Sequence, residues 1–188
     1  ELAEKFGFGS ITGVDIYGEK AGNVPGRSYL NKKYGRYGWA AGNLLTFIIG
    51  QGDILVTPIQ VVQMMNIIAT RGNTQSPHLN LDDTSEKMTL SLKSSTWDFL
   101  QNATWEVVNH ENGTGKAARI NGATVHGKTG TAQNPHGEDH SWFAGYLVKD
   151  EDPVFSLVVL VEHGGKGSVE AALISNKIFN YAQKNFSL

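Results

Sequence analysis

Cysteine is absent from all 188 residues. That excludes a thiol nucleophile, a zinc–thiolate site and any disulfide, and leaves the fold to be held by an apolar core. No apolar run reaches the roughly 18 residues that a membrane-crossing helix needs, and the polar, helix-like opening at Glu1 lacks the apolar centre of a signal peptide. Charge of one sign is also missing: 16 Lys and Arg stand against 18 Asp and Glu, a net −2. Nothing in that balance favours nucleic acid or an anionic membrane, so the expected partner is a small molecule or another protein. What is present is material for a core, with 40% apolar and 10% aromatic residues in a chain of single-domain length.

The pattern of elements predicts an α+β fold, an antiparallel sheet covered by helices. Glu1 to Phe6 reads as the end of a helix stopped by Gly7 and Gly9. From Ser10 to Gly52 glycine, Asn and tyrosine recur without apolar periodicity, which predicts a long irregular segment. Thr57-Pro58-Ile59-Gln60 is a helix start, since Thr57 can cap, proline suits the first helical position and Gln60 completes a capping box. That helix is expected to run to Arg71 with Ile59, Val62, Met65 and Ala69 on its core face. The stretch Gln75 to Lys93 is polar and expected to be exposed. A second helix, Ser95 to His110, would turn Trp97, Leu100, Ala103 and Val107 inward, and a short helical turn follows at Lys116-Ala117-Ala118. Three strands come next, Ala123–Gly130, Ser141–Val148 and Val154–Val161, the last so apolar that it reads as central and covered. Their short connections favour antiparallel neighbours. A final helix, Ser168 to Lys184, would pack through Ala171, Ile174, Ile178 and Tyr181.

The sharpest chemical feature is His126-Gly127-Lys128-Thr129-Gly130-Thr131-Ala132 at the end of a predicted strand. K-T-G is a signature of serine β-lactamases and penicillin-binding proteins. The tripeptide alone would be weak, but further blocks accompany it. Thr12-Gly13-Val14-Asp15 with Gly18-Glu19, Gly50-Gln51-Gly52 with Val56-Thr57-Pro58-Ile59-Gln60, Gly113-Thr114-Gly115, Ser141-Trp142-Phe143-Ala144-Gly145-Tyr146 and Glu162-His163-Gly164-Gly165 resemble, in order, stretches of class B penicillin-binding proteins. The pair Trp142-Phe143 leans toward the cell-elongation members, the penicillin-binding protein 2 type.

The resemblance implies a partial transpeptidase fold, residues 1–188 being the C-terminal portion of a single domain. It implies a peptidoglycan D,D-transpeptidase that is acylated at a serine and blocked by β-lactams, facing the periplasm from a membrane anchor. The family's other motifs are S-x-x-K and S-x-N, and no serine here begins either. Their absence reads as truncation, so the isolated chain is expected to be inactive. Lys128, Thr129, Gly130 and Thr131 are the expected substrate-binding residues, with Lys128 and Thr131 catalytic. A fixed cation and neighbouring hydroxyls suit the terminal carboxylate of a D-Ala-D-Ala stem peptide or the carboxylate of a β-lactam, and Gly130 lets substrate approach backbone. No cofactor and no metal are expected. The implied partners are the stem peptide, β-lactams and cell-wall elongation proteins. Missing neighbours would also leave apolar surface on the Ile59/Met65 face or the sheet edge, and self-association of the chain is expected.

Two other activities fit the same motif: a carboxypeptidase or serine β-lactamase relative, and a non-catalytic β-lactam sensor or assembly module. Some features invite sharper readings that their context does not support. Gly113-Thr114-Gly115-Lys116 is no phosphate loop, because His110 stands where the first glycine belongs and Ala117 replaces the hydroxyl residue. His136-Gly137-Glu138-Asp139-His140 contains a helix-breaking glycine and reads as a solvated hairpin, or one rim of the cleft, before it reads as a metal site. Tyr29, Tyr34, Tyr37 and Trp39 read as pins for a long loop before they read as a sugar platform.

Overall fold

A computed structural model describes residues 2–80 and 86–186. Its centre is a three-stranded antiparallel sheet, β3 (Thr124–Ala132), β4 (His140–Lys149) and β5 (Asp152–Val161), in the order β3-β4-β5. Alternation along β4 divides the core in two. Phe143 and Leu147 join Val125, Leu157, Ala171 and Phe179 on one face, while Ala144 and Tyr146 join Met65, Ile68 and Trp97 on the other. Helix α6 (Glu170–Asn185) covers the first face and α4 (Pro58–Ala69) the second. Helix α5 (Ser94–Asn109) lies along β3 and contributes to both clusters, Trp97 to one and Val108 to the other.

Among the described residues β5 is therefore an outer strand of this sheet and β4 the inner one, where the apolar run of β5 led to the expectation of a central strand. The run arises because helices cover both faces of β5, which removes the alternation that a one-sided strand would carry.

Helix α4 begins as its sequence dictates. Thr57 Oγ1 accepts from Gln60 N–H at 3.3 Å and Gln60 Oε1 accepts from Thr57 N–H at 2.9 Å. The same Gln60 side chain, fully buried, donates to the carbonyls of Ser10 and Ala21 at 2.7 and 2.8 Å. One residue thus caps the helix and satisfies two loop carbonyls that would otherwise be buried unpaired. Gly72 ends the element at φ +87°, its N–H donating to Ile67 O at 2.8 Å.

Several expectations are corrected. The stretch Ser10–Gly52 is not irregular throughout. After the short α1 (Leu2–Lys5), it holds α2 (Arg27–Tyr34) and α3 (Ala41–Ile48). The polar stretch after α4 contains two short strands paired antiparallel, β1 (Asn73–Gln75) and β2 (Lys87–Thr89), while 81–85 and the opening residue Glu1 lie outside the described residues. The inward face of α5 is set by Trp97, Thr104 and Val108, one position on from the predicted Ala103 and Val107. That of α6 is set by Ala171, Ala172, Ser175, Phe179 and Ala182, leaving Ile178 and Tyr181 outside. The face of α4 expected to be bare is covered: Met65 is 2% exposed against the sheet and Ile59 is half-buried. Exposed apolar side chains gather instead on α3 and the loop after it, at Leu45, Ile48, Ile49 and Leu55.

Candidate functional site

Strand β3 carries Lys128, Thr129, Gly130 and Thr131, and β4 pairs with it along one side. On its other side α5 flanks the first half, where Asn109 Nδ2 donates to the Val125 carbonyl at 2.8 Å and the Gln101 carbonyl lies 3.0 Å from His126 Nδ1. Beyond Lys128 the end of the strand lines a cleft of about 460 Å³ that also takes in Trp142, Leu160 and Val61, on the α4 side of the sheet. One wall is Lys128 to Ala132, the other is Ile49, Gln51, Ile54, Leu55 and Val56, and His140 also lines it.

The two-residue period of the strand distributes the motif. Lys128 pairs across with Ala144, which belongs to the α4-side cluster. Thr129 pairs with Phe143 of the α6-side cluster, and Thr131 with Ser141. The lysine and the two threonines therefore leave β3 on opposite faces, and what they share is its open edge. Lys128 is exposed, with its Nζ turned onto the Thr129 carbonyl. Thr129 is 8% exposed, and its Oγ1 meets Thr114 Oγ1 at 2.9 Å. Thr131 is exposed, and its Oγ1 accepts from Gly167 N–H at 3.3 Å.

The loop before α6 is locked onto this end of the sheet. The fully buried Ser141 donates through Oγ to the Lys166 carbonyl and accepts from Ala171 N–H, each at 3.1 Å. The backbone at Gly167 lies so close to the Gly130 carbonyl that no side chain fits there. Gly130 itself leaves room for Trp142, whose Cβ would stand 3.3 Å from an added Cβ.

All four predicted site residues thus line one cleft. Sequence reasoning assigned no role to Gln51, Thr114 or Gly167, each of which touches the motif. The first two lay inside blocks marked by the resemblance, and Gly167 falls just past one. Of the histidines, His140 lines the cleft and stands edge-on to His163, ring centroids 5.1 Å apart, while His136 is exposed. The aromatic segment is partly pinned: Trp39 Nε1 donates to Asn31 Oδ1 at 2.8 Å, whereas Tyr37 is 92% exposed.

His126 sits two positions before Lys128 and stacks on Tyr146, centroids 4.8 Å apart. His126 Nδ1 lies between the Gln101 carbonyl at 3.0 Å and the Tyr146 hydroxyl at 3.1 Å. Burial holds the imidazole below its ordinary pKa, partly offset by that backbone hydrogen bond, and pushes the Tyr146 hydroxyl up.

Comparison with known proteins agrees with this architecture. Residues 1–180 match the model of the penicillin-binding protein transpeptidase domain. The peptidoglycan D,D-transpeptidase MrdA of Haemophilus influenzae is 32% identical across 94% of this chain, which spans 31% of that relative. Penicillin-binding protein 2 of Helicobacter pylori, solved with MreC, superposes with a TM-score of 0.81 at 32% identity, over 96% of this chain and 35% of that one. Penicillin-binding protein 2 of Pseudomonas aeruginosa, solved with WCK 5153, gives 0.80 at 30% identity, over 95% and 40%. The mixed fold of helices and antiparallel sheet matches those structures, and the chain belongs to the penicillin-binding protein transpeptidase domain family. Within it, the chain falls with the class B members of the penicillin-binding protein 2, or MrdA, type. It spans about a third of the length of its curated relatives.

Proposed function

We propose that this chain carries the carboxylate-holding site of a peptidoglycan D,D-transpeptidase, and that the nucleophilic serine belongs to sequence outside it. The observation behind the reading is the open edge of β3, flanked by an ammonium from one face and two hydroxyls from the other. The acceptor side of Thr131 Oγ1 is engaged by Gly167 N–H, which leaves its O–H free to donate. If Thr114 donates to Thr129, that hydroxyl is left in the same state. A carboxylate at the edge would meet a fixed charge and two O–H donors, the pattern that makes charge-assisted hydrogen bonds. An extended peptide can pair along this edge as an added strand by sharing or displacing the Lys128 and Gln51 donors at the Thr129 and Thr131 carbonyls, and Gly130 keeps the approach clear. The ligand class is thus a peptide ending in D-Ala-D-Ala, or a β-lactam that imitates it.

Thr131 N–H lies on the same side of the strand as its carbonyl and is proposed as one donor of an oxyanion hole, the serine N–H being the other. Loss of one such donor commonly costs about 10²-fold in rate or more, so the isolated chain is proposed to be inactive. Among the described residues no helix is long and apolar enough to cross a membrane. A membrane anchor elsewhere in the protein, action on the periplasmic side and partners in cell elongation are proposals from kinship, the MreC complex of the Helicobacter relative among them. Labelling with a fluorescent penicillin tests the reading. The full-length protein should take up label covalently and this chain alone should not. Covalent labelling of the isolated chain would refute it.

A further inference from the structure

Gln51 stands at the tip of the loop between α3 and α4, between Gly50 and Gly52, both at φ +76°, a conformation that favours glycine. The loop is held from behind. Gly50 N–H donates to Phe47 O and Gln51 N–H to Thr46 O, each at 3.0 Å, which ties the tip to the last turn of α3. A Cβ on Gly52 would come within 3.2 Å of the Phe47 ring. With its backbone fixed this way, Gln51 crosses the cleft and donates through Nε2 to the Thr131 carbonyl at 3.0 Å.

The place of that contact matters. Val125, Thr129 and Thr131 are separated by even numbers, so their carbonyls leave β3 on the same side, and each accepts from a side chain. The donors are Asn109, Lys128 and Gln51 in turn. Asn109 belongs to α5 and Lys128 to β3 itself, whereas Gln51 reaches over from the opposite wall of the cleft. We infer that Gln51 is a positioning residue for the motif strand. It struts the far end of β3 against the α3–α4 loop, so that the N–H of Thr131, on the same side of the strand as the braced carbonyl, stays aimed into the cleft beside Lys128. The inference rests on the function proposed above. It concerns the aim of a donor, and a misplacement of about 1 Å in such a group can cost on the order of 10²-fold in rate.

The test is the time course of acylation of the full-length protein by a fluorescent penicillin at several concentrations, which separates the constant for initial binding from the rate of the acylation step. Gln51→Ala removes the donor and the bulk; Gln51→Met removes the donor and keeps the length. Both are expected to slow the acylation step by about tenfold or more, with initial binding changed less than about twofold. A Gln51→Met protein that acylates at the wild-type rate overturns the inference, because the side chain would then only fill space. If the wild-type protein takes up no label, the proposed function fails, and the strut is judged by hydrogen exchange at the Ala132 amide. Gln51→Met should speed that exchange about fivefold, the worth of one hydrogen bond, and unchanged exchange overturns the strut as well.

Discussion

Thr114 and Thr129 meet hydroxyl to hydroxyl at 2.9 Å, joining the turn after α5 to the middle of the Lys-Thr-Gly motif. The turn has little freedom to move. Gly115 N–H donates to Val107 O at 2.7 Å, and a Cβ on Gly113 would stand 2.6 Å from Glu106 O, closer than real Cβ contacts come. Thr114 is exposed, so its replacement disturbs the hydroxyl pair more than the core.

Thr114→Val should therefore leave the melting temperature nearly unchanged while slowing penicillin acylation of the full-length protein about three- to tenfold, the worth of one hydrogen bond. Acylation at the wild-type rate would mean that the Thr129 hydroxyl needs no orienting partner.

Gly127 tests how the motif strand is seated. An added Cβ would fall on the Phe143 ring and stand 2.9 Å from Ala144 O. The ring occupies that space because Gly127 faces Gly145 across the strands. Gly127→Ala should cost about 1–3 kcal/mol by overpacking, read as a lower urea midpoint at constant slope. An unchanged midpoint would show that Phe143 can move aside freely.

These details mark the limit of what could be read from sequence. The capping box at Thr57 and Gln60, the stop at Gly72 and the strand ending in Lys128-Thr129-Gly130 were legible because each is a local signal. The helices α2 and α3 were not. Each has eight residues, α2 starts at Gly26 without a side-chain cap, and the Asn43 side chain that braces the Ala40 N–H of α3 sits inside the helix. The inward face of α6 was misread because small residues, Ala171, Ala172, Ser175 and Ala182, let the helix approach the sheet closely, while Ile178 and Tyr181 lie outside. Nothing local in the sequence foretells that Gln51 meets Thr131, 80 residues away.

His126 predicts a pH dependence. Its imidazole titrates below the ordinary 6.5 when folded, so in that window the unfolded chain binds the proton and the folded one does not. Stability should hold above pH of about 6.5 and fall as the pH drops from there through the lowered folded value. His126→Phe keeps a ring against Tyr146 and removes the titration, so thermal melts between pH 5 and 8 should lose this part of their slope. An identical slope in the variant would place the pH sensitivity elsewhere in the protein.

Whether Lys128 holds the carboxylate is tested most directly by crossing a protein change with a ligand change. Acylation of the full-length protein would be measured with a penicillin and with its carboxylate methyl ester, in wild type and in Lys128→Ala. A charged hydrogen bond worth about 1.5–3 kcal/mol corresponds to a preference for the acid of about 10- to 150-fold in wild type. The account predicts that this preference falls by about that factor in Lys128→Ala, leaving only what the two hydroxyls contribute. A variant that still favours the acid by the wild-type factor would contradict it.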